Sequence, residues 1–220
     1  GNSALTVDIT ARVATITIPG TDWNGAETVT FKATDPGALA DSNDVVFTVT
    51  AINDAPVVTD IPDQPIDEGS TFTTINLDDY VSDVEDADAD MIWTYTGNSS
   101  LTVDITARVA TITIPGTDWN GTETVTFKAT DLGALADSND VVFTVNAIND
   151  APVVTDIPNQ TIDEGSTFTT INLDDYVSDV DDVDTDMTWS YTGNSSLTVD
   201  ITARVATITI PGTDWNGAET

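Results

Sequence analysis

The chain has 220 residues, 38 acidic and 5 basic side chains, a formal net charge of -33, and neither histidine nor cysteine. A disulfide framework, a thiolate nucleophile, a cysteine zinc site and a histidine base are therefore excluded, as is a basic face for nucleic acid or anionic membrane. Hydrophobic residues make up 40% of the chain, enough for packed cores and too many for a disordered acidic tail.

No apolar run reaches the roughly 18 residues of a membrane-spanning helix. The string GNSALTVDITARVATITIPGTDWNG starts at Gly1 and returns, with Ser for Ala at its fourth position, at Gly97 and Gly193, a period of 96 residues. Between 1–124 and 97–220, 112 of 124 positions agree. A period of that length fits a whole small domain rather than one coil of a solenoid. The opening residues read as the middle of such a domain, so a piece of a longer array is expected.

In chain order through the middle repeat, apolar and polar residues alternate. Met91, Trp93 and Tyr95 form one face, then Leu101, Val103 and Ile105, then Ala110, Ile112 and Ile114. Val125, Phe127 and Ala129 follow, opposed by Thr124, Thr126 and Lys128, and then Val141, Phe143, Val145 and Ala147. Threonine and valine at period two predict half-buried strands. Gly69-Ser70, Gly97-Asn98, Pro115-Gly116 and Asn120-Gly121 supply turns between them. Short strands at this spacing predict an all-β chain of tandem β-sandwich domains. Trp93 and Tyr95 are expected in the core or at its edge. Trp119, after a Pro-Gly turn, is expected to cap one end of the sandwich, with sugar stacking as the alternative.

Pro56 and Pro152 hold extended linkers after the last strand of each unit. Boundaries are placed near Asn53 and Asn149. Residues 1–52 are then the C-terminal half of one repeat, 53–148 a complete repeat, and 149–220 the N-terminal part of a third.

The carboxylates carry the chemistry. Calcium takes about six to eight oxygen ligands, several of them carboxylates. The densest cluster is Asp83, Glu85, Asp86, Asp88 and Asp90, copied as Asp179, Asp181, Asp182, Asp184 and Asp186. The change of Glu85 to Asp181 keeps the charge. The spacing is not an EF-hand: Met91 stands at the required glycine and Gly97 at the closing glutamate. Acidic runs also occur as solvated faces that keep a protein soluble. Against that, like charges packed in one loop repel unless a cation neutralises them.

The segment ATDPGALADSNDVVFTVTAINDAPVV, from Ala33, resembles the end of a cadherin repeat and its linker. With the DEGS segment and the NG-ET-TF-ATD ending, the chain resembles the cadherin-like, immunoglobulin-like tandem repeats of large bacterial surface adhesins, over nearly its whole length. The resemblance implies calcium at the junctions between repeats. It assigns Glu68 and its copy Glu164, the linker pairs Asn53-Asp54 and Asn149-Asp150, and the paired aspartates Asp86, Asp88, Asp182 and Asp184. It also assigns Asp131, with Asp35 as its copy. Asp118 and Glu123, copied from Asp22 and Glu27, stand near the place of the cadherin Asp-Arg-Glu motif. That motif is itself absent, and Ala51 and Ala55 replace linker ligands. Fewer or weaker ions per junction than in animal cadherins are expected.

The functional expectation is an extracellular, non-enzymatic one: extender repeats of a surface adhesin or filament, rigidified by Ca2+. The alternative is a module that binds carbohydrate or other copies of itself. No phosphate loop or nucleophile elbow occurs, and nothing marks a carboxylate pair as sitting in a cleft. Asn98-Ser99-Ser100 and Asn120-Gly121-Thr122 fit the glycan acceptor pattern, but Ala26 and Ala218 break the second in its copies. Both are read as turns.

Overall fold

Threonine and valine alternating at period two favour a pleated surface with one face buried, and short strands run through the whole chain. The structure, a computed structural model, describes residues 4–220; residues 1–3 of the first expected domain lie outside the described residues. The first repeat supplies β1 (Thr6–Thr10), β2 (Val13–Thr17), β3 (Gly25–Thr34) and β4 (Ala40–Val49). The second supplies β5 (Val57–Val58), β6 (Gln64–Asp67), β7 (Ile75–Asn76), β8 (Val81–Ser82), β9 (Ile92–Thr96), β10 (Thr102–Thr106), β11 (Val109–Thr113), β12 (Gly121–Thr130) and β13 (Ala136–Asn146). The third supplies β14 (Val153–Val154), β15 (Ile171–Asn172), β16 (Val177–Ser178), β17 (Thr198–Thr202) and β18 (Val205–Thr209). The expected all-β architecture is the observed one.

The described residues divide into two compact units. One holds the chain up to Ile66 together with Ser70–Val145; the other holds Asp67–Gly69 with Asn146–Thr220.

The first unit contains the complete sandwich. One sheet has the order β10-β11-β7, the other β6-β13-β12-β9. The apolar faces read from the alternation point inward: Val125, Phe127, Ala129, Val141 and Phe143 are 0% exposed. They pack with Ile75, Trp93, Leu101, Val103 and Ile112 in one core. Phe72 meets Phe143 edge to face, with ring centroids 5.0 Å apart. Burying each phenylalanine is worth about 1.5–3 kcal/mol. Trp93 is buried but Tyr95 is 37% exposed, because β9 lies at the edge of its sheet.

Several acids serve the fold itself. The stretch from Val58 to Glu68 runs beside β13 in parallel, at a nearly constant offset in sequence. Asp137 Oδ2 accepts from the Val58 N–H at 2.8 Å, and Asn139 Oδ1 from the Ile61 N–H at 3.1 Å. Asp63 Oδ1 accepts from the Val142 N–H at 2.7 Å, and Asp67 Oδ1 from the Asn146 side chain at 3.2 Å. Side chains thus add to the backbone pairing of this edge, and they give the part-buried Val58 and Ile61 N–H groups the acceptors that burial demands.

The β10–β11 hairpin turns through Ala107 and Arg108, at φ 50 and 62. Both central residues of this two-residue turn are left-handed, a geometry that favours Asn and Gly. Arg108 is held there. Its Nε donates to both carboxylate oxygens of Asp78 at 2.9 Å, and its carbonyl accepts from the Leu77 N–H at 3.0 Å.

The second unit repeats this plan in part. β15, β18 and β17 form a sheet in the order β15-β18-β17, and β14 pairs with β16. Arg204 grips Asp174 as Arg108 grips Asp78, with Nε 3.0 Å from both oxygens. Leu173, Val177 and Ala206 are its buried apolar residues among those described.

Candidate metal centre

The acid-rich loop after β8 is shaped by its own side chain. Asp83 Oδ1 accepts from the backbone N–H groups of Glu85 and Asp86 at 2.9 and 3.0 Å. This local capping by aspartate turns the chain without regular pairing. It also sends the next two carboxylates in different directions. Glu85 Oε2 accepts from the Asp54 N–H of the linker at 3.1 Å. Asp86 Oδ2 accepts from the Leu132 N–H at 3.1 Å. Asp83 Oδ2 is buried without a hydrogen-bond partner.

Asp131 is 2% exposed, a buried carboxylate that needs donors. Oδ1 takes the Leu135 N–H, and Oδ2 takes the Asn53 side-chain amide, each at 2.8 Å. Asn53 also donates to the Asp54 carbonyl at 3.0 Å. Gly133 permits the approach: a Cβ there would meet the Asn53 amide at 2.5 Å. Asn53, Asp54, Glu85, Asp86 and Asp131 are therefore gathered at one end of the sandwich.

The second unit shows the equivalent linker with a further acid added. Asp150 donates its N–H to Asp181 Oδ2 at 2.8 Å, and Asn149 donates to the Asp150 carbonyl at 2.7 Å. Asp179 Oδ1 caps the N–H groups of Asp181 and Asp182 at 2.9 and 3.1 Å. Glu68 enters from the turn Asp67–Gly69. Its N–H donates to the Asn146 carbonyl at 2.9 Å, and its Oε1 accepts from the Ile148 N–H at 2.8 Å. Glu68 Oε2 is buried without a hydrogen-bond partner. Carboxylate oxygens of Glu68, Asp150 and Asp181 lie within 4.8 Å of one another. Three negative groups this close favour a cation between them. An all-oxygen set without His or Cys fits a hard ion of the calcium or magnesium type.

The remaining candidates stand apart from this group. Asp88 opens a 3-10 turn, Asp88–Asp90, and is exposed; Asp184 does the same at Asp184–Asp186. Asp182 bonds through its N–H to Asp179. Glu164 and Asp118 are exposed in turns. The oxygens of Glu123 are occupied: they accept from the Ser99 N–H, the Ser99 hydroxyl and the Ser100 and Leu101 N–H groups. Burial raises its pKa, but the backbone N–H and hydroxyl of Ser99 and the N–H groups of Ser100 and Leu101 outweigh it, bringing the carboxyl from 4.5 to about 2. Trp119 packs against the core, its ring over Gly121. Glu85 and Asp181, which face the linker N–H, were absent from the ligand set implied by resemblance. Their signal in the sequence is the charge-preserving change between them.

No protein-family model and no curated protein sequence matches the chain. Solved structures do. The structure titled PcdhgB3 EC1-4 is 15% identical, covers 95% of this chain and 55% of its own, and has a TM-score of 0.55. Protocadherin Gamma B2 extracellular cadherin domains 1-5 is 14% identical over 95% of this chain and 44% of its own, with a TM-score of 0.47. The protocadherin gammaB7 EC3-6 cis-dimer is 15% identical over 99% and 59%, with a TM-score of 0.46. The chain spans about half the length of these structures. At such identity the first of them speaks for the fold alone: the repeats are cadherin-like β-sandwiches.

Proposed function

We propose that these are non-catalytic extender repeats of a long extracellular adhesin or filament, made rigid by calcium held at the linkers between repeats. The observation that carries this reading is the meeting of Glu68, Asp150 and Asp181. In sequence these come from one repeat, the linker after it, and the repeat that follows. An ion on all three ties the turn at Asp67–Gly69 to the linker and to the loop after β16. Glu68 Oε2, buried without a donor, is the natural first ligand, since an unpaired buried charge is costly. The Asp150 and Asp181 carboxylates supply the next two. Asn53 and Asp131, with their linker neighbour Asp54, show how the adjoining loop is braced in the complete repeat. The charge of -33 keeps near-identical neighbours soluble and apart while they fold. The surface-adhesin setting rests on the sequence resemblance, and the cadherin-like fold supports it.

Thermal unfolding in EGTA and in roughly millimolar calcium tests this, that being the range of extracellular calcium modules. A rise in melting temperature with calcium is expected through ligand linkage. It should be lost in the double variant Asp150→Asn, Asp181→Asn. An equal melting temperature with and without calcium would remove the reading and leave the acids as solvating charge.

A further inference from the structure

The complete repeat carries an open groove of about 460 Å³ between residues 61–66 and 73–80. That size falls within the roughly 300–1,000 Å³ of small-molecule sites. Every residue that lines it belongs to this one repeat. Its floor is apolar: Ile61 and Ile75 are 1% and 5% exposed. Pro62, Pro65 and Tyr80 carry the apolar surface outward, and Tyr80 is half-buried against the core.

The two walls are tied to each other. Gln64 Oε1 accepts from the Thr73 N–H at 2.9 Å, and Gln64 Nε2 donates to the Thr73 carbonyl at 3.0 Å. The Tyr80 carbonyl accepts from the Thr59 N–H at 2.8 Å, which fixes the far end. The groove is therefore formed before a ligand arrives, and little ordering cost opposes binding. Its polar groups are only half spent. Asp79 Oδ1 takes the Asn76 side-chain amide at 2.7 Å, and Asp63 Oδ1 takes the Val142 N–H at 2.7 Å. Asn76 Oδ1, Asp79 Oδ2 and Asp63 Oδ2 have no hydrogen-bond partner among the described residues. No lysine or arginine lines the groove. The same ties recur in the third repeat, between Gln160 and Thr169 and between Asn172 and Asp175.

We propose that this groove binds a neutral saccharide. Spare acceptors without matching donors call for a ligand rich in hydroxyl donors. Two carboxylates and no cation turn away an anionic glycan, in a chain whose net charge is already -33. The neutral amide and hydroxyl side chains of Gln64, Thr73, Thr74 and Asn76 outnumber those two carboxylates, so the lining suits hydroxyls better than a cation. The apolar surface of Pro62, Pro65 and Tyr80 receives the C–H face of a pyranose ring, an aromatic body with a polar tip being suited to a wet interface. Trp119, the sugar platform considered from sequence, packs instead with its ring over Gly121. The groove uses none of the residues of the calcium reading, so it stands or falls apart from it.

Electrophoresis of the full chain in native gels that contain a neutral glucan, mannan or galactan tests this, with EGTA present so that calcium plays no part. At least one of the three polymers should retard the chain. Tyr80→Ala with Tyr176→Ala removes the aromatic from both copies and should weaken the retardation by about tenfold or more, as loss of a central aromatic contact does. Tyr80 also packs on the core, so a second variant leaves the core intact. Thr74→Arg with Thr170→Arg extends a donor-rich side chain from an exposed position, where it competes for the spare acceptors. It should abolish retardation while the melting temperature stays the same. Three results would each overturn the proposal: no retardation by any of the neutral polymers, equal or stronger retardation by a sulfated glucan, or retardation that survives the paired arginine substitution.

Discussion

The side-chain amide of Asn53 donates to the buried carboxylate of Asp131, 78 residues further along the chain, at 2.8 Å. One hydrogen bond thus fastens the linker at the start of the complete repeat to the loop between its last two strands.

Asn53→Ala should cost stability in the absence of calcium. Asp131 Oδ2 loses this donor while remaining buried, a loss of about 1–3 kcal/mol. For a domain of this size that lowers the melting temperature by roughly 4–8 °C per kcal/mol. Thermal unfolding of Asn53→Ala beside the unaltered chain, both in EGTA, checks it, and an unchanged melting temperature would sink this account of Asn53.

Acid should weaken the complete repeat partly through Glu123. Its carboxyl sits at about 2 in the folded chain against an ordinary 4.5. A depressed folded value means the stabilisation is complete above the unfolded value and fades as pH falls from about 4.5 towards 2. Glu123→Gln should therefore be less stable at neutral pH and show a shallower decline across that window. Urea midpoints of both proteins from pH 7 down to 2 check it. Parallel curves would show that the Ser99–Leu101 loop does not hold the carboxylate.

The β10–β11 turn can be improved. Ala107 is exposed and left-handed, at φ 50, a conformation that costs a residue with Cβ roughly 1–2 kcal/mol. Asn tolerates it better and is preferred at this turn position. Ala107→Asn should raise the melting temperature by several degrees while Arg108 keeps its grip on Asp78. An unchanged or lower melting temperature would mean that the turn carries no recoverable strain.

The strands were legible because burial with period two leaves a direct mark: Val125, Phe127 and Ala129 alternate with Thr124, Thr126 and Lys128 in sequence, and the first three are fully buried. Tyr95 shares the period of Trp93, but sequence does not reveal that its strand lies at an edge. The acid cluster was visible as composition; which carboxylate turns to the linker was not. That depends on Asp83 capping two N–H groups, a local fold that sends Glu85 one way and Asp86 another. Nor does spacing show that three consecutive N–H groups from Ser99 to Leu101, in the loop between β9 and β10, converge on Glu123.

The stretch from Val58 to Glu68 and strand β13 lie side by side and run the same way, one near the start of the complete repeat and the other at its end. A pull on the two ends of that repeat would load this seam in shear, lengthwise. The bonds from Asp137, Asn139, Asp63 and Asp67 would then strain together instead of unzipping one at a time. Resistance to tension is set by the rate of forced unfolding rather than by equilibrium stability. The acids along this edge therefore suit a tether that must bear load, even in a repeat of ordinary thermal stability.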